Sequence, residues 1–398
     1  MPAVIVEETS HSELSPSSSS RWMRCPSSIP LSRNIPDTQT NAAARRGTAI
    51  HAVGEQMLKG IKKEIGGSIL DGEGHSYIDA EMFREAEQYA NYVRALLTEP
   101  DAELFIEEKV DIFPEYDLSG HVDACVINGT TLSVCDLKSG RVPVKAEENS
   151  QLMLYAIGLY EEHSMFYDID TIALHIIQDN PSISNTNSWE CSVDDLMDFK
   201  EFAKNKAEEA LSDNPTPVPG EVQCKYCRAA SVCPALIEEV TEAFEKLEEV
   251  DTKMSEPDTA ADVLDVTIAE LLSKKKLIEV AFKAFEDRLY NDMINGKDVP
   301  GFKLVQKQTR KRWIDETDAY TKLKSWAPID EVAPRKLVTP TQAAKLMGKM
   351  STKKSNIFNG LWEKPEGEVI LVPESDRRAP VNPVQAFDDL DVEEDAEL

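Results

Sequence analysis

The sequence lacks the long apolar runs of a membrane protein: it has no stretch of about 18 apolar residues, the minimum for a spanning helix. Its N-terminus also lacks the basic and then apolar order of a secretory signal peptide. We therefore expect a cytoplasmic protein, in a compartment where thiols stay reduced. Its seven cysteines are then better explained as metal ligands or core residues than as disulfides.

Basic residues are scarce as well, because 43 lysines and arginines stand against 72 acids and give a formal net charge of −29. This charge argues against a protein that passively coats nucleic acid, since it would repel the phosphates. An enzyme with a locally basic cleft is still compatible with it. The length of 398 residues allows two or three domains and a sizeable core.

The most informative part of the chain lies between residues 103 and 160. Runs of β-branched and aromatic residues alternate there with turn signals, and a helical pattern follows them. The predicted elements are helices at 40–63 and 78–97, strands at 103–113, 118–129 and 130–140, a helix at 147–162, a strand at 171–178 and a helix at 193–212. A strand that follows a helical crossover implies an α/β fold, with a mixed sheet and helices packed against it.

Two acids and a lysine form a distinctive set on the predicted hairpin. Asp123 and Asp136 lie on neighbouring strands, and Lys138 follows Asp136 by two positions. Because side chains of a strand alternate between its faces, Asp136 and Lys138 point the same way while Leu137 points into the core. Two carboxylates and an ammonium on one face are typical of a site that holds a divalent metal.

The cysteines after residue 220 have the spacing of metal ligands, since Cys224, Cys227 and Cys233 fall within ten residues. One local ligand is missing for either a tetrahedral zinc site or a cubane iron–sulfur cluster. Cys25 is the candidate, because it also precedes a proline in a turn-like setting. The other cysteines are interpreted as core or structural residues: Cys125, Cys135 and Cys191.

Taken in order, these motifs resemble those of the PD-(D/E)XK nuclease superfamily, in its RecB-like branch. That branch has a helix histidine, an aspartate, an Asp-x-Lys motif and then Gln-x-x-x-Tyr, and the matching residues here are His51, Asp123, Asp136-Leu137-Lys138, Gln151 and Tyr155. The cysteine arrangement is similar to that of the iron–sulfur subgroup, which includes the AddB nuclease domain and the CRISPR-associated adaptation exonucleases. The sequence also resembles an uncharacterised family common in phages and prophages. The resemblance covers roughly residues 18–240.

The resemblance implies a restriction-endonuclease-like core and a metal-dependent DNA nuclease. Asp123, Asp136, the Leu137 carbonyl and His51 would bind Mg²⁺ or Mn²⁺. Lys138 would orient the attacking water and stabilise the developing charge. Gln151 and Tyr155, the remaining two catalytic candidates, would position Lys138 or the DNA backbone.

The resemblance further implies an exonuclease of phage-type recombination, replication or repair, acting on single-stranded DNA or duplex ends in the host cytoplasm. It favours a [4Fe–4S] cluster over zinc at Cys25, Cys224, Cys227 and Cys233, although the spacing alone allows either metal. One alternative is a non-catalytic iron–sulfur or zinc scaffold that binds recombination or replication proteins. Another is a redox-sensing iron–sulfur protein.

Two acids near this set receive supporting roles. Glu107 lies on a strand that leads to the same edge and would support the metal, in which case Glu108 faces away from it. Glu55, one helical turn from His51, is the weaker of the two candidate supports.

The predicted domains are a flexible arm at 1–20, a nuclease domain at 21–240, a helical accessory region at 241–378 and a disordered acidic tail at 379–398. Within the accessory region, helices at 235–254 and 258–295 are expected to form a hairpin. The tail has three interpretations: it folds back over basic residues as an autoinhibitor, it recruits a basic single-strand-binding or annealing protein, or it only aids solubility.

One segment of the accessory region is strongly basic, and it is predicted as a short strand or hairpin. Basic residues interleaved with an aromatic suit single-stranded nucleic acid, whereas lysines also protect solvated sheet edges. The weak candidates for nucleic-acid binding in this segment are Lys303, Lys307, Arg310, Lys311, Arg312 and Trp313.

Overall fold

A computed structural model describes most of the chain, and it has two compact units, residues 1–281 and 282–398. The described residues are 13–35, 42–70, 75–140, 142–178, 186–253, 260–314, 316–328, 331, 339–365, 367–373 and 376–381. None of the helices in these ranges is long and apolar enough to cross a membrane.

The first unit contains nine described helices and seven described strands. The helices are α1 (Ser19–Trp22), α2 (Ser28–Ser32), α3 (Ala42–Leu58), α4 (Ala80–Ala95), α5 (Ser150–His163), α6 (Val193–Leu211), α7 (Glu221–Lys225), α8 (Pro234–Lys253) and α9 (Ala260–Ile294), the last of which continues into the second unit. The strands are β1 (Ser68–Leu70), β2 (His75–Tyr77), β3 (Glu103–Phe113), β4 (Leu118–Asn128), β5 (Thr131–Leu137), β6 (Thr171–Ile177) and β7 (Thr186–Ser192).

A five-stranded mixed sheet in the order β3-β4-β5-β6-β7 is the centre of this unit. Its pairs are antiparallel except for β5 and β6, which run parallel and are connected through α5. The prediction of a mixed α/β sheet is therefore confirmed. The edge strand β7 was not predicted, because Thr186–Ser192 is mostly polar and lacks the apolar signal of a buried strand.

Helices cover both faces of this sheet. On one face α5 and α6 bury Val122, Cys125 and Val134. On the other, α3 and α4 bury Ala124 and Cys135. Cys125 and Cys135 are fully buried on opposite faces, which confirms the prediction that they are core residues.

Polar side chains define where the main helices begin. Asp79 accepts hydrogen bonds from two backbone N–H groups at the start of α4, and Asn149 does the same at α5. Ser192 and Asp195 form a reciprocal capping box at α6. Each satisfies N–H groups that have no partner within the helix, so the sequence fixes these starting points locally.

The prediction of a flexible arm at residues 1–20 is wrong for its second half. Leu14 is fully buried in the core, and a short 3₁₀ turn at Pro16–Ser18 precedes α1. The indole N–H of Trp22 donates to the Ser15 carbonyl at 3.1 Å. Apolar burial and this hydrogen bond offset the entropy of ordering the segment. Residues 1–12 lie outside the described part of the chain.

The predicted hairpin of α8 and α9 is present. Lys274 pairs with Glu239 at 2.6 Å, and Lys246 pairs with Glu270 at 2.8 Å, a register that requires antiparallel helices. The first unit continues to residue 281, past the expected boundary at 240. The two helices therefore belong largely to the first unit.

The second unit combines short helices with strands. The predicted strand or hairpin of the basic segment is present as two strands, whereas the prediction of a mostly helical region missed the two strands with which they pair. Its further elements are β8 (Phe302–Gln306), β9 (Arg312–Trp313), α10 (Glu316–Leu323), α11 (Pro340–Met347), α12 (Thr352–Asn359), β10 (Trp362–Glu363) and β11 (Val369–Pro373). β8 pairs with β11 and β9 with β10, both antiparallel. Partners so far apart in sequence give no local hairpin signal. The acidic tail from residue 382 onward lies outside the described residues.

Candidate functional site

The candidate site lies where strands β4 and β5 separate. Their ladder runs from Asn128 opposite Thr131 to Ala124 opposite Cys135 and stops before Asp123 and Asp136 would pair. Instead, the Asp123 carboxylate accepts a hydrogen bond from the Leu137 N–H at 2.8 Å. The fork therefore brings both acids to one end of the sheet.

Lys138 connects Asp136 to helix α5. Its Nζ lies 2.9 Å from Asp136 Oδ2 and 3.1 Å from Gln151 Oε1. Gln151 Nε2 donates to Asp136 Oδ1 at 3.2 Å and to the Tyr155 hydroxyl at 3.3 Å. Tyr155 is buried, and burial raises its pKa to about 12, so its hydroxyl stays protonated. The structure thus brings Asp136, Lys138, Gln151 and Tyr155 into one hydrogen-bonded set.

Helix α3 brings His51 to the other acid. Its Nδ1 lies 3.2 Å from Asp123 Oδ1. Burial lowers the pKa of His51, but the Asp123 carboxylate more than offsets this effect, so the pKa is raised overall. All six predicted catalytic residues are therefore close together, although they come from four separate elements.

Asp136 is the most unusual group in the site. Burial raises its pKa to about 6, the Lys138 ammonium opposes that shift, and the Asp123 charge adds to it. Its Oδ2 is buried without an aligned hydrogen-bond donor among the described residues, although the Lys138 ammonium lies 2.9 Å away. A buried carboxylate oxygen with free lone pairs is suited to a hard cation.

Glu107 adds a third carboxyl group to the site. Its φ of +53° interrupts the ladder between β3 and β4, an uncommon conformation for a residue other than glycine. Burial raises its pKa to about 7, and the charges of Asp123 and Glu55 contribute to the shift. Glu107 therefore lies near Asp123, and Glu55 lies near Glu107. Glu108 instead contacts His163, at 3.2 Å, as expected for a side chain that faces away.

Tyr89 of α4 is a site residue that the sequence did not reveal. Its hydroxyl is buried and has no hydrogen-bond partner among the described residues. Burial and then the Asp123 charge raise its pKa well above the usual value. On the apolar face of a helix, a tyrosine is indistinguishable from a core residue, so only the tertiary structure places it beside the carboxylates.

In the described part of the chain, no three acidic or histidine ligand atoms of this site lie within 4.8 Å of one another. Three such ligand atoms do lie within 4.8 Å of one another elsewhere among the described residues, and they belong to Glu108, Glu162 and His163. That trio surrounds the contact between Glu108 and His163, where α5 ends. At the fork, Asp123 and Asp136 instead bind His51, Lys138 and the Leu137 N–H.

The four predicted cysteine ligands also come together, although Cys25 is about 200 residues from the others in sequence. Burial raises the pKa of Cys224 to about 11, and charges on Cys25, Cys227 and Cys233 contribute to the shift. Cys25 Sγ accepts from the Val218 N–H at 3.3 Å. The thiols of one loop and one N-terminal turn therefore share a small region.

The spacing of these thiols is wider than a single zinc ion requires. Zn–S bonds of about 2.3 Å hold four sulfurs within roughly 4 Å of one another. No three of the sulfur atoms of these four described cysteines lie within 4.8 Å of one another. Hydrogen bonds also join the two segments, since Arg21 donates to the Tyr226 carbonyl at 3.1 Å.

The basic segment of the second unit is divided between two small sheets. Trp313 is buried and packs edge-on against Phe358, so the expectation that it stacks on bases is wrong. Arg312 pairs with Glu363 at 2.9 Å, and Lys311 lies over the ring of Trp362. The other three basic candidates lie at or near the surface, and they are Lys303, Lys307 and Arg310.

Comparison with known proteins gives a family but no activity. The solved structure titled "Crystal structure of SSO0001" is 14% identical to this chain and matches 54% of it and 95% of that chain. The TM-score is 0.24, too low for the likeness to carry an argument. A family model described as "Protein of unknown function (DUF2800)" matches residues 11–379, and the chain therefore belongs to the DUF2800 family.

Proposed function

We propose that this protein is a metal-dependent deoxyribonuclease with a site and core of the PD-(D/E)XK, RecB-like type. The observation that carries the proposal is the buried Asp136 carboxylate, which pairs with Lys138 beside Asp123 at the fork of two strands. A carboxylate pair next to a lysine is the set that metal-assisted phosphodiester hydrolysis requires. The six catalytic candidates of the sequence resemblance lie in this one site.

The residues present fit a hard divalent cation, Mg²⁺ or Mn²⁺. Asp123, Asp136, the Leu137 carbonyl and His51 would hold it, with Glu107 as a further carboxyl group. The free lone pairs of Asp136 Oδ2 and the imidazole of His51 support this donor set. Such an ion polarises the phosphate and lowers the pKa of a bound water.

The side chains of this protein have distinct roles in the proposed reaction. Lys138 directs its ammonium at the Asp136 carboxylate and would stabilise charge on the phosphate as it develops. Gln151 holds the Lys138 ammonium through Oε1 and the Asp136 carboxylate through Nε2. Tyr155 orients Gln151 from the next helical turn.

The four cysteines are proposed as ligands of a [4Fe–4S] cluster, with zinc as the alternative. The resemblance of the cysteine arrangement to the iron–sulfur subgroup favours the cubane over zinc. The cluster would be structural, since it would join the turn after α1 to the loop around α7. The reducing cytoplasm, proposed as its location, would keep the thiols available.

The proposed substrate is DNA, as single strands or duplex ends, in phage-type recombination, replication or repair. The non-catalytic scaffold remains the competing function. It predicts binding without cleavage, so a single assay separates the two.

The test uses purified full-length protein with end-labelled single- and double-stranded DNA and Mn²⁺. We expect cleavage that Asp136→Asn and Lys138→Ala each lower by at least about 100-fold, because each removes a group acting on the reacting phosphate. Asp111→Asn is the matched control, since it neutralises an exposed acid on β3. Cleavage unchanged in both site variants would refute the assigned site, and no cleavage by the wild type would favour the scaffold.

A further inference from the structure

A cavity of about 600 Å³ lies in the first unit, between α1, the start of α5, β7 and α6. Its inner wall is apolar and rich in sulfur and aromatic groups. The side chains that form this wall are Met23, Met153, Trp189, Phe199 and Phe202. Met23 and Met153 are buried, while Phe202 is 48% exposed at the open side. The cavity is therefore accessible and offers aromatic faces to a ligand.

The rim of the cavity is strongly acidic. Its charged groups are four carboxylates and one guanidinium: Glu148, Glu190, Asp195, Asp198 and Arg24. Within the described part of the chain, none of these carboxylates forms an ion pair. Asp195 is held by the Ser192 hydroxyl at 2.6 Å, which is a neutral partner. Four carboxylates against one guanidinium therefore leave the rim with an excess of negative charge.

The aromatic wall and the acidic rim together favour one ligand group, the arginine side chain. An arginine side chain has an apolar stem, a planar cation that stacks on aromatic rings, and donors that match carboxylates. It is also hydrated more weakly than lysine, so its entry into an aromatic cavity costs less. A nucleic-acid strand would instead bring phosphates against four carboxylates.

We propose that this cavity binds an arginine side chain presented by a basic segment of a partner protein. Trp189 would stack on the guanidinium, and the rim carboxylates would accept its hydrogen bonds. Met23 and Arg24, which form one wall of the cavity, immediately precede Cys25 in sequence. The inference does not depend on nuclease activity.

The test measures binding of a fluorescent hexa-arginine peptide to the full-length protein by anisotropy, without divalent metal, at low and physiological salt. We expect binding that is tighter than that of hexa-lysine. Trp189→Ala and the double variant Glu190→Gln/Asp198→Asn should each weaken it by about fivefold. The matched control Asp194→Asn/Glu201→Gln removes two exposed acids from α6 outside the cavity and should change the affinity by less than about twofold.

Circular dichroism checks the fold of each variant. Because Glu190 and Asp198 are exposed, the charge variant remains informative if Trp189→Ala fails to fold. Equal losses in the cavity and control variants would reduce the effect to general charge attraction and overturn the proposal. Absence of peptide binding at about 1 mM would do the same. An oligodeoxyadenylate whose affinity depends on Trp189 would assign the cavity to a nucleobase instead.

Discussion

A Cβ atom at Gly120 would lie 2.6 Å from the Tyr155 ring and 3.0 Å from Pro16. Gly120→Ala must therefore push Tyr155 out of its place beside Gln151. We expect a loss of about 1–3 kcal/mol in the free energy of unfolding, measured by urea denaturation, together with slower DNA cleavage. Gly140→Ala is the control, because its Cβ would meet nothing within 4 Å, and it should change stability by less than about 0.5 kcal/mol.

His175 on β6 is a second residue with a measurable consequence. It is buried, its Nδ1 lies 2.9 Å from the Tyr92 hydroxyl, and its Nε2 has no partner among the described residues. Burial lowers its pKa from 6.5 to about 4. The titratable groups that face it, Tyr92 on α4 and Cys135 on β5, are neutral near pH 7 and supply no countercharge.

The unfolded chain therefore binds a proton between pH 6.5 and about 4 that the folded protein does not bind. Above pH 6.5 this effect is absent. As the pH drops from 6.5 to 4, protonation of His175 in the unfolded chain lowers the free energy of unfolding by up to about 3 kcal/mol. Urea unfolding from pH 7.5 to 4 should show this slope, and His175→Gln should flatten it. His121→Gln, which changes an exposed histidine, should leave the slope unchanged. Equal slopes in wild type and His175→Gln would contradict the assignment.

At the scale of elements, the start of α5 links folding to the site. Asn149 caps the helix by accepting from the Gln151 and Leu152 N–H groups, so it also sets the position of Gln151. Ser192 caps α6 at the end of the sheet away from the fork, where it pairs with Thr171. Both are side-chain caps of helices that pack on the sheet, but only Asn149 lies next to a residue of the site.

Asn149→Ala and Ser192→Ala should each cost about 1 kcal/mol of stability in thermal or urea unfolding. Only Asn149→Ala should also reduce DNA cleavage, because it alone frees Gln151. If both variants lose cleavage in proportion to stability, Gln151 has no specific role in the site.

Element positions followed closely from the sequence where patterns were strong. The strand at Glu103–Phe113 was predicted with its observed bounds, and α5 and α6 differ from the expected ranges by a few residues. β7 and, in the second unit, β10 and β11 were missed. Their residues are polar or pair with distant segments, so no periodicity marks them.

At the scale of the molecule, the cysteine centre closes the chain around the first unit. Residue 25 meets residues 224–233, and the proposed cluster would close this long loop and so stabilise the folded chain by several kcal/mol, on the order of a structural metal site. The two segments also meet through the hydrogen bond from the Ser27 N–H to the Thr216 carbonyl.

Anaerobically purified protein should be brown and contain iron, and Cys25→Ser should lose both the colour and part of the stability. The same is expected for serine at Cys224, Cys227 or Cys233. Cys125→Ser should keep the colour, because Cys125 is buried in the sheet core. The measurements are visible absorption and elemental analysis. Zinc without iron in the purified protein would contradict the cluster and favour a zinc site.

The sequence by itself determined the order along the chain of the helices and of strands β3 to β6 around the central sheet. Its resemblance to a nuclease superfamily singled out the six candidate catalytic residues, and the cysteine spacing with that resemblance grouped the four cysteines. These follow from local periodicity, turn and cap chemistry, and from motif order. Only the tertiary structure decided that β4 and β5 separate at Asp123 and Asp136, that Tyr89 and Glu107 approach them, and that Trp313 is buried. Such features depend on which distant segments pack together, and burial and charge then set their properties.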